Sequence, residues 1–184
     1  MTAMEDLGSR QLDALARVDR LLEQAGIEYW LFGGWAVDFY VGSITRAHDD
    51  VDIVVWLEDL PAINQILEQD GWRHAPTEDA DGGTQYERDP VCLGLTFLVR
   101  DEIGEVFIPF KSGRVPWTAE LFGDDVRELL GVRARVVSLE PLRLGKSYRR
   151  GDREDEAKDR ADFTALSKLT GESDLGVNRL DHLT

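Results

Sequence analysis

Asp50 and Asp52 stand either side of Val51 at the start of VDIVVW, residues 51–56. Val and Ile suit a pleated, buried surface and no turn residue interrupts them, so the segment reads as an inner strand. Side chains alternate along a strand, which sends both carboxylates to one face and Asp49 and Val51 to the other. Two like charges at about 4 Å repel by roughly 4 kcal/mol at an effective dielectric near 20. A folded chain keeps such a pair only if one carboxyl is protonated or a cation lies between them. Hard oxygen ligands with the rest of the shell open suit Mg²⁺, which takes one or two protein carboxylates plus waters and phosphate oxygens.

Gly33 and Gly34 supply the second half of the chemistry. They follow an apolar strand at residues 29–32 and precede a short helical pattern at residues 35–40, so they lie where a strand turns into a helix N-terminus. Backbone N–H groups there lack partners, the helix dipole is positive, and a phosphate can approach a residue without Cβ. Metal at one end and phosphate at the other imply a nucleoside triphosphate. Arg46 stands four residues before Asp50. Its guanidinium fork suits a triphosphate or a carboxylate, and we assign it to phosphate. His48 has two readings, a metal ligand or a loop-orienting hydrogen bond, and the second is the ordinary one. Asp38, inside the short helix, needs a partner if buried, with Arg46 or His48 in reach, and is read as structural.

The residues carry a resemblance at this point. Gly33 and Gly34 followed by fifteen residues and then Asp50, Val51 and Asp52 resemble the nucleotidyltransferase signature of the DNA polymerase β superfamily. GGWAVD followed by TRAHDDVDI resembles more narrowly the small antibiotic nucleotidyltransferases, the aminoglycoside 2''-adenylyltransferase and lincosamide nucleotidyltransferase branch. The resemblance implies Mg²⁺ held by Asp50 and Asp52, ATP or another nucleoside triphosphate as co-substrate, and transfer of a nucleoside monophosphate to a hydroxyl of a small antibiotic. It also implies a third carboxylate on a later strand. In EVFIPF, residues 105–110, the aligned register holds Phe107 and Ile108, leaving Glu105, Glu102, a substrate group or a water to substitute. Near the C-terminus GKS and KDRADF resemble the helical part of nucleotidyltransferases, where a lysine approaches the phosphates; Lys146 matches it.

The elements that must position these groups follow from periodicity. Residues 7–25 read as an amphipathic helix ended by Gly26, and a second helix starts near Asp59 with Pro61 in its first turn. Residues 85–88, 93–100 and 105–110 read as strands, the last two as a hairpin. Residues 133–139 read as a further strand. The last helix, 152–169, carries Ala157, Ala161, Ala165 and Leu169 at four-residue spacing. The expected fold is α+β in the mixed α/β sense: a twisted mixed sheet flanked by helices, with a small C-terminal helical region. The expected divisions are a nucleotidyltransferase core over residues 1–112, a C-terminal strand and helical region over 113–172, and a flexible tail over 173–184. The loop PTEDADGG, 76–83, is rich in acid, glycine and proline; a solvated turn is its default reading, and a loop beside the cleft that holds a cationic substrate is the other.

Charge narrows the acceptor. Twenty-one basic against thirty-six acidic residues leave −15, with acid spread along the chain. Proteins that grip nucleic acid cluster Lys and Arg against phosphates, so a nucleic-acid partner is disfavoured; the acid either steers a cationic small molecule or serves solubility alone. A nucleotidylating toxin or regulator acting on RNA or protein, or a non-catalytic nucleotide-binding relative, are the alternatives. With 42% hydrophobic and 31% charged residues the chain reads as an ordinary globular protein, a monomer or homodimer. The single cysteine, Cys92, excludes an internal disulfide and reads as a small buried thiol on a strand. No early apolar run reaches signal-peptide length and none approaches a membrane span, so a cytoplasmic location is expected.

Overall fold

The computed structural model describes residues 3–76, 81–147 and 153–169. Helix α1, Ala3–Ala25, buries Leu12, Leu15, Val18 and Leu22 along one stripe and ends at Gly26, which adopts φ 70°. Strand β1, Tyr29–Phe32, then runs directly into helix α2, Gly33–Val41, which Gly42 closes in the left-handed conformation with its N–H on the Asp38 carbonyl at 2.8 Å. Strand β2 spans Val51–Trp56, as the β-branched run requires. Helix α3, Leu60–Gln69, has Pro61 at its start, where a missing N–H costs nothing.

Strands β3 (Arg73–His74), β4 (Gly83–Arg88), β5 (Val91–Arg100), β6 (Val106–Phe110) and β7 (Gly113–Pro116) complete one seven-stranded sheet. Its order is β1-β2-β5-β4-β3, and β6 joins β5 at the distal end and carries β7. The β2 and β5 pair is parallel and its neighbours antiparallel, so the mixed sheet expected from the sequence is present. Val51, Ile53, Leu93 and Leu95 alternate inward to form the core face. Asp52, Val54 and Trp56 occupy the other face. Beyond Asp52 that face is roofed by an aromatic group: Trp30 lies 4.8 Å from Phe122, Trp56 5.7 Å from Phe122, and Phe32 5.9 Å from Trp117 between ring centroids.

The C-terminal part departs from expectation in one strand. The strand expected over 133–139 is shorter: β8, Val126–Leu129, and β9, Val132–Arg135, form a separate hairpin turned at Leu130 and Gly131, both with positive φ. The chain then joins the core through a parallel bridge between Leu31 and Val136. Helix α4, Leu139–Gly145, precedes α5, Arg153–Leu169. On α5 Ala157, Ala161 and Leu169 of the four-residue series are exposed, Ala165 packs against the core, and the buried positions are Asp159, Asp162 and Leu166. Alanine favours helix wherever it faces, whereas these two aspartates turn inward to meet cations. Residues 77–80 of the acidic loop and the 173–184 tail lie outside the described residues.

Candidate active site

Strand β1 delivers Phe32 to the N-cap of α2 without a side-chain cap, which leaves the first helical N–H groups to whatever approaches Gly33 and Gly34. Gly33 adopts φ 69°, a conformation side chains rarely take. Its open side is filled by Asp52: a Cβ built on Gly33 would stand 2.6 Å from Asp52 Oδ2. A Cβ on Gly94 of β5 would stand 2.6 Å from Asp52 Oδ1. The carboxylate is therefore seated in the space two glycines leave. Asp50, two residues earlier and on the same face, is exposed at the mouth. Crowding around its carboxyl, and then the Asp49 charge, raise its pKa above the ordinary value.

The loop between α2 and β2 is held from beneath by Asp38, which is fully buried. Its Oδ1 accepts from Thr45 N at 3.0 Å and Thr45 Oγ1 at 2.6 Å, and its Oδ2 accepts from His48 Nε2 at 2.6 Å. Gln11 Nε2 donates to the His48 carbonyl at 3.1 Å, and Trp35 packs on the imidazole at 4.6 Å. Asp38 is thus structural, with His48 and the unforeseen Thr45 as partners. His48 takes its loop-orienting role through Nε2, while Nδ1 faces Gly34.

Arg46 also stands over the elbow, its Nη2 among the atoms nearest a Cβ on Gly34. The same guanidinium binds Asp162 of α5 as a fork, Nε to Oδ1 at 2.9 Å and Nη2 to Oδ2 at 3.0 Å. Lys146, 8% exposed, places Nζ 2.9 Å from Asp162 Oδ2 and 3.0 Å from Asp159 Oδ1. Both cations drawn from the sequence therefore converge on one buried carboxylate behind the elbow. Burial would raise the Asp162 pKa, but hydrogen bonds from Arg46 and Lys146 hold it below the ordinary value. Lys158 of α5 reaches Asp49 at 2.8 Å. The sequence reading missed Asp162 and Lys158. The available signal was the KDRADF segment, residues 158–163, whose two aspartates three residues apart inside a helix by default read as a solvated face.

The strand beside β2 is β5, and the residue level with Asp52 is Gly94. This corrects the register that placed Phe107 and Ile108 there. Strand β6 meets β5 only at Val99 and Arg100, which leaves Glu105 and Glu102 about 20 Å along the sheet from Asp52 at a rise near 3.3 Å per residue. Neither can stand in for a carboxylate at this site. Cys92 is half-buried beside the pair; burial, then Asp50 and Asp52, push its thiol up to about 12, so it stays protonated and inert. Among the described residues no three His, Cys, Asp or Glu side chains gather as a metal cage. Two carboxylates on one open face fit an ion that completes its shell from phosphate and water, which is the preference of Mg²⁺. A separate cavity of about 360 Å³ between Asp19, Glu28 and Arg133 shares no residue with this site.

The family profile described as aminoglycoside-2''-adenylyltransferase matches residues 14–166. The chain belongs to that family. A 2''-aminoglycoside nucleotidyltransferase of Klebsiella pneumoniae is 29% identical over 77 residues, 42% of each chain. A lincosamide resistance protein of Staphylococcus haemolyticus is 38% identical over 53 residues, 29% of this chain and 33% of the other. The match to the Klebsiella enzyme thus spans about two fifths of that relative's length. Among solved structures, ANT(2'')-Ia in complex with adenylyl-2''-tobramycin aligns with a TM-score of 0.68 at 18% identity, covering 88% of this chain and 90% of that one. A lincomycin-bound lincosamide antibiotic adenylyltransferase aligns with a TM-score of 0.63 at 20% identity, covering 82% and 92%. These two likenesses establish the fold. Among the described residues, no helix of this family member is long and apolar enough to cross a membrane.

Proposed function

We propose that the protein is a Mg²⁺-dependent adenylyltransferase that moves AMP from ATP to a hydroxyl of a small cationic antibiotic of the aminoglycoside or lincosamide kind. The observation that carries this reading is the seat of Asp52 between Gly33 and Gly94, with Asp50 beside it and an uncapped helix N-terminus facing both. Asp50 and Asp52 would hold the ion, and a bound Mg²⁺ would neutralise charge on the triphosphate and the leaving pyrophosphate. Gly33 and Gly34 receive phosphate oxygens on backbone N–H groups. Arg46 presents its guanidinium over Gly34 and adds positive charge to the cradle, while Lys146 holds the carboxylate that aims it. The acceptor hydroxyl attacks the α-phosphorus in line and pyrophosphate leaves, so catalysis rests on positioning and charge. The named relatives, one an aminoglycoside nucleotidyltransferase and one a lincosamide resistance protein, support the acceptor class.

The test is pyrophosphate release with ATP, Mg²⁺ and a panel of aminoglycosides and lincosamides. Release is expected with at least one acceptor, and Asp50→Asn or Asp52→Asn should lower it by more than about a hundredfold, in line with loss of metal and positioning terms. Full activity in either variant would show that the two carboxylates do not form the site.

A further inference from the structure

We infer that Glu87 accepts the proton of the attacking acceptor hydroxyl, an assignment that rests on the adenylyl-transfer reading above. A hydroxyl that bonds to phosphorus must shed its proton, and the acceptor must lie within hydrogen-bond reach of it. On the open face the three strands β2, β5 and β4 run level in two rows. Asp52, Gly94 and Gln85 form the first. The second, one pleat earlier on β2, aligns Asp50 with Cys92 and Glu87, because Val51 pairs with Leu93 and Glu87 with Cys92. Asp52 and Glu87 are the only carboxylates these three strands contain.

Adjacent strands lie about 4.8 Å apart, so the Glu87 backbone is about 10 Å from that of Asp50. The floor between carries Cys92 and the side-chain-free Gly94, with the Gln85 side chain in hydrogen-bond reach of the thiol. In this structure the Glu87 carboxylate is turned to Arg73 on β3, the far side from Asp50, and a rotamer directed across β5 instead would leave a gap between the two acids suited to one hydroxyl-bearing ring. The Glu87 side chain keeps 42% of its surface exposed and pairs with Arg73, itself 71% exposed. A surface pair of this kind contributes little and exchanges readily, so one carboxylate oxygen is available to an incoming hydroxyl.

The step balances as follows. The hydroxyl oxygen forms the new bond to the α-phosphorus, and its proton passes to a Glu87 oxygen and then to water. The bond from the α-phosphorus to the bridging oxygen breaks, and its electron pair leaves on pyrophosphate.

The experiment compares the parent protein with Glu87→Gln and Glu87→Ala, using ATP, Mg²⁺ and whichever panel antibiotic the parent accepts. Both variants should keep the parent's melting temperature and the KM for ATP within threefold, while kcat falls about 10²- to 10³-fold, the usual worth of a general base. Added formate should restore kcat at least tenfold in Glu87→Ala, where it fits the vacated space, and leave Glu87→Gln unchanged. A kcat within threefold of the parent in Glu87→Gln overturns the assignment and leaves the adenylyl-transfer reading standing. So does a fall in kcat without formate rescue, which marks a merely structural role. If the parent itself releases no pyrophosphate with any acceptor, the adenylyl-transfer reading fails, and Glu87 loses its role with it.

Discussion

A carboxylate wedged between two glycines depends on what those glycines lack. Adding a methyl group at Gly94 places it 2.6 Å from Asp52 Oδ1, closer than carbon and oxygen tolerate, and β5 itself has no positive φ at that point to add strain. Gly94→Ala should therefore leave folding intact while displacing Asp52, lowering kcat by more than tenfold; circular dichroism and pyrophosphate release on the same preparation separate the two effects. Gly33→Ala meets Asp52 Oδ2 and must also adopt φ 69°, which adds about 1 kcal/mol of backbone strain. It should lose both activity and several degrees of melting temperature. The elbow and the paired acids were legible in the sequence because each is local: two residues on a strand fix a face, and two glycines before a helical pattern fix an N-terminus. Gly94 was not legible, since its place opposite Asp52 depends on which later strand pairs with β2.

Helix α5 is tied to the site loop by ion pairs rather than by an apolar stripe. Asp162 is wholly buried and receives Arg46 and Lys146 from two other elements. Removing one partner of such a cluster leaves uncompensated charge and costs roughly 3–5 kcal/mol. Asp162→Asn should lower the melting temperature markedly at pH 7 and loosen residues 43–49, a change that hydrogen exchange of those amides would register. The pH dependence has a definite sign. The folded pKa of Asp162 is depressed, so protons bind the unfolded chain more readily. Its contribution is complete above the ordinary aspartate value near 4 and is lost as pH falls through the lower folded value. Denaturant unfolding between pH 7 and pH 2 should show a steep acid loss in the parent that Asp162→Asn flattens. An unchanged acid limb in the variant would exclude Asp162 as its source.

At the scale of the whole molecule, a net charge of −15 makes the surface a field for cations. For a polycationic aminoglycoside, KM should rise several-fold between about 50 and 500 mM salt as the Debye length falls from roughly 14 to 4 Å, while kcat stays level. A singly charged lincosamide should show a weaker trend, and equal slopes for the two would remove steering from the account. The sequence alone determined the local features: paired acids on an inner strand, a glycine elbow, the helices and strands around them, and a net charge of −15. Each of these depends on alternation, periodicity or composition within a short stretch. Tertiary structure decided which groups complete the site. Arg46 meets Asp162 across 116 residues of chain, β5 rather than β6 lies against β2, and Glu87 stands level with Cys92 on the strand beyond β5. Such pairings follow from how distant segments close on one another, and that closure leaves no periodic trace in either segment.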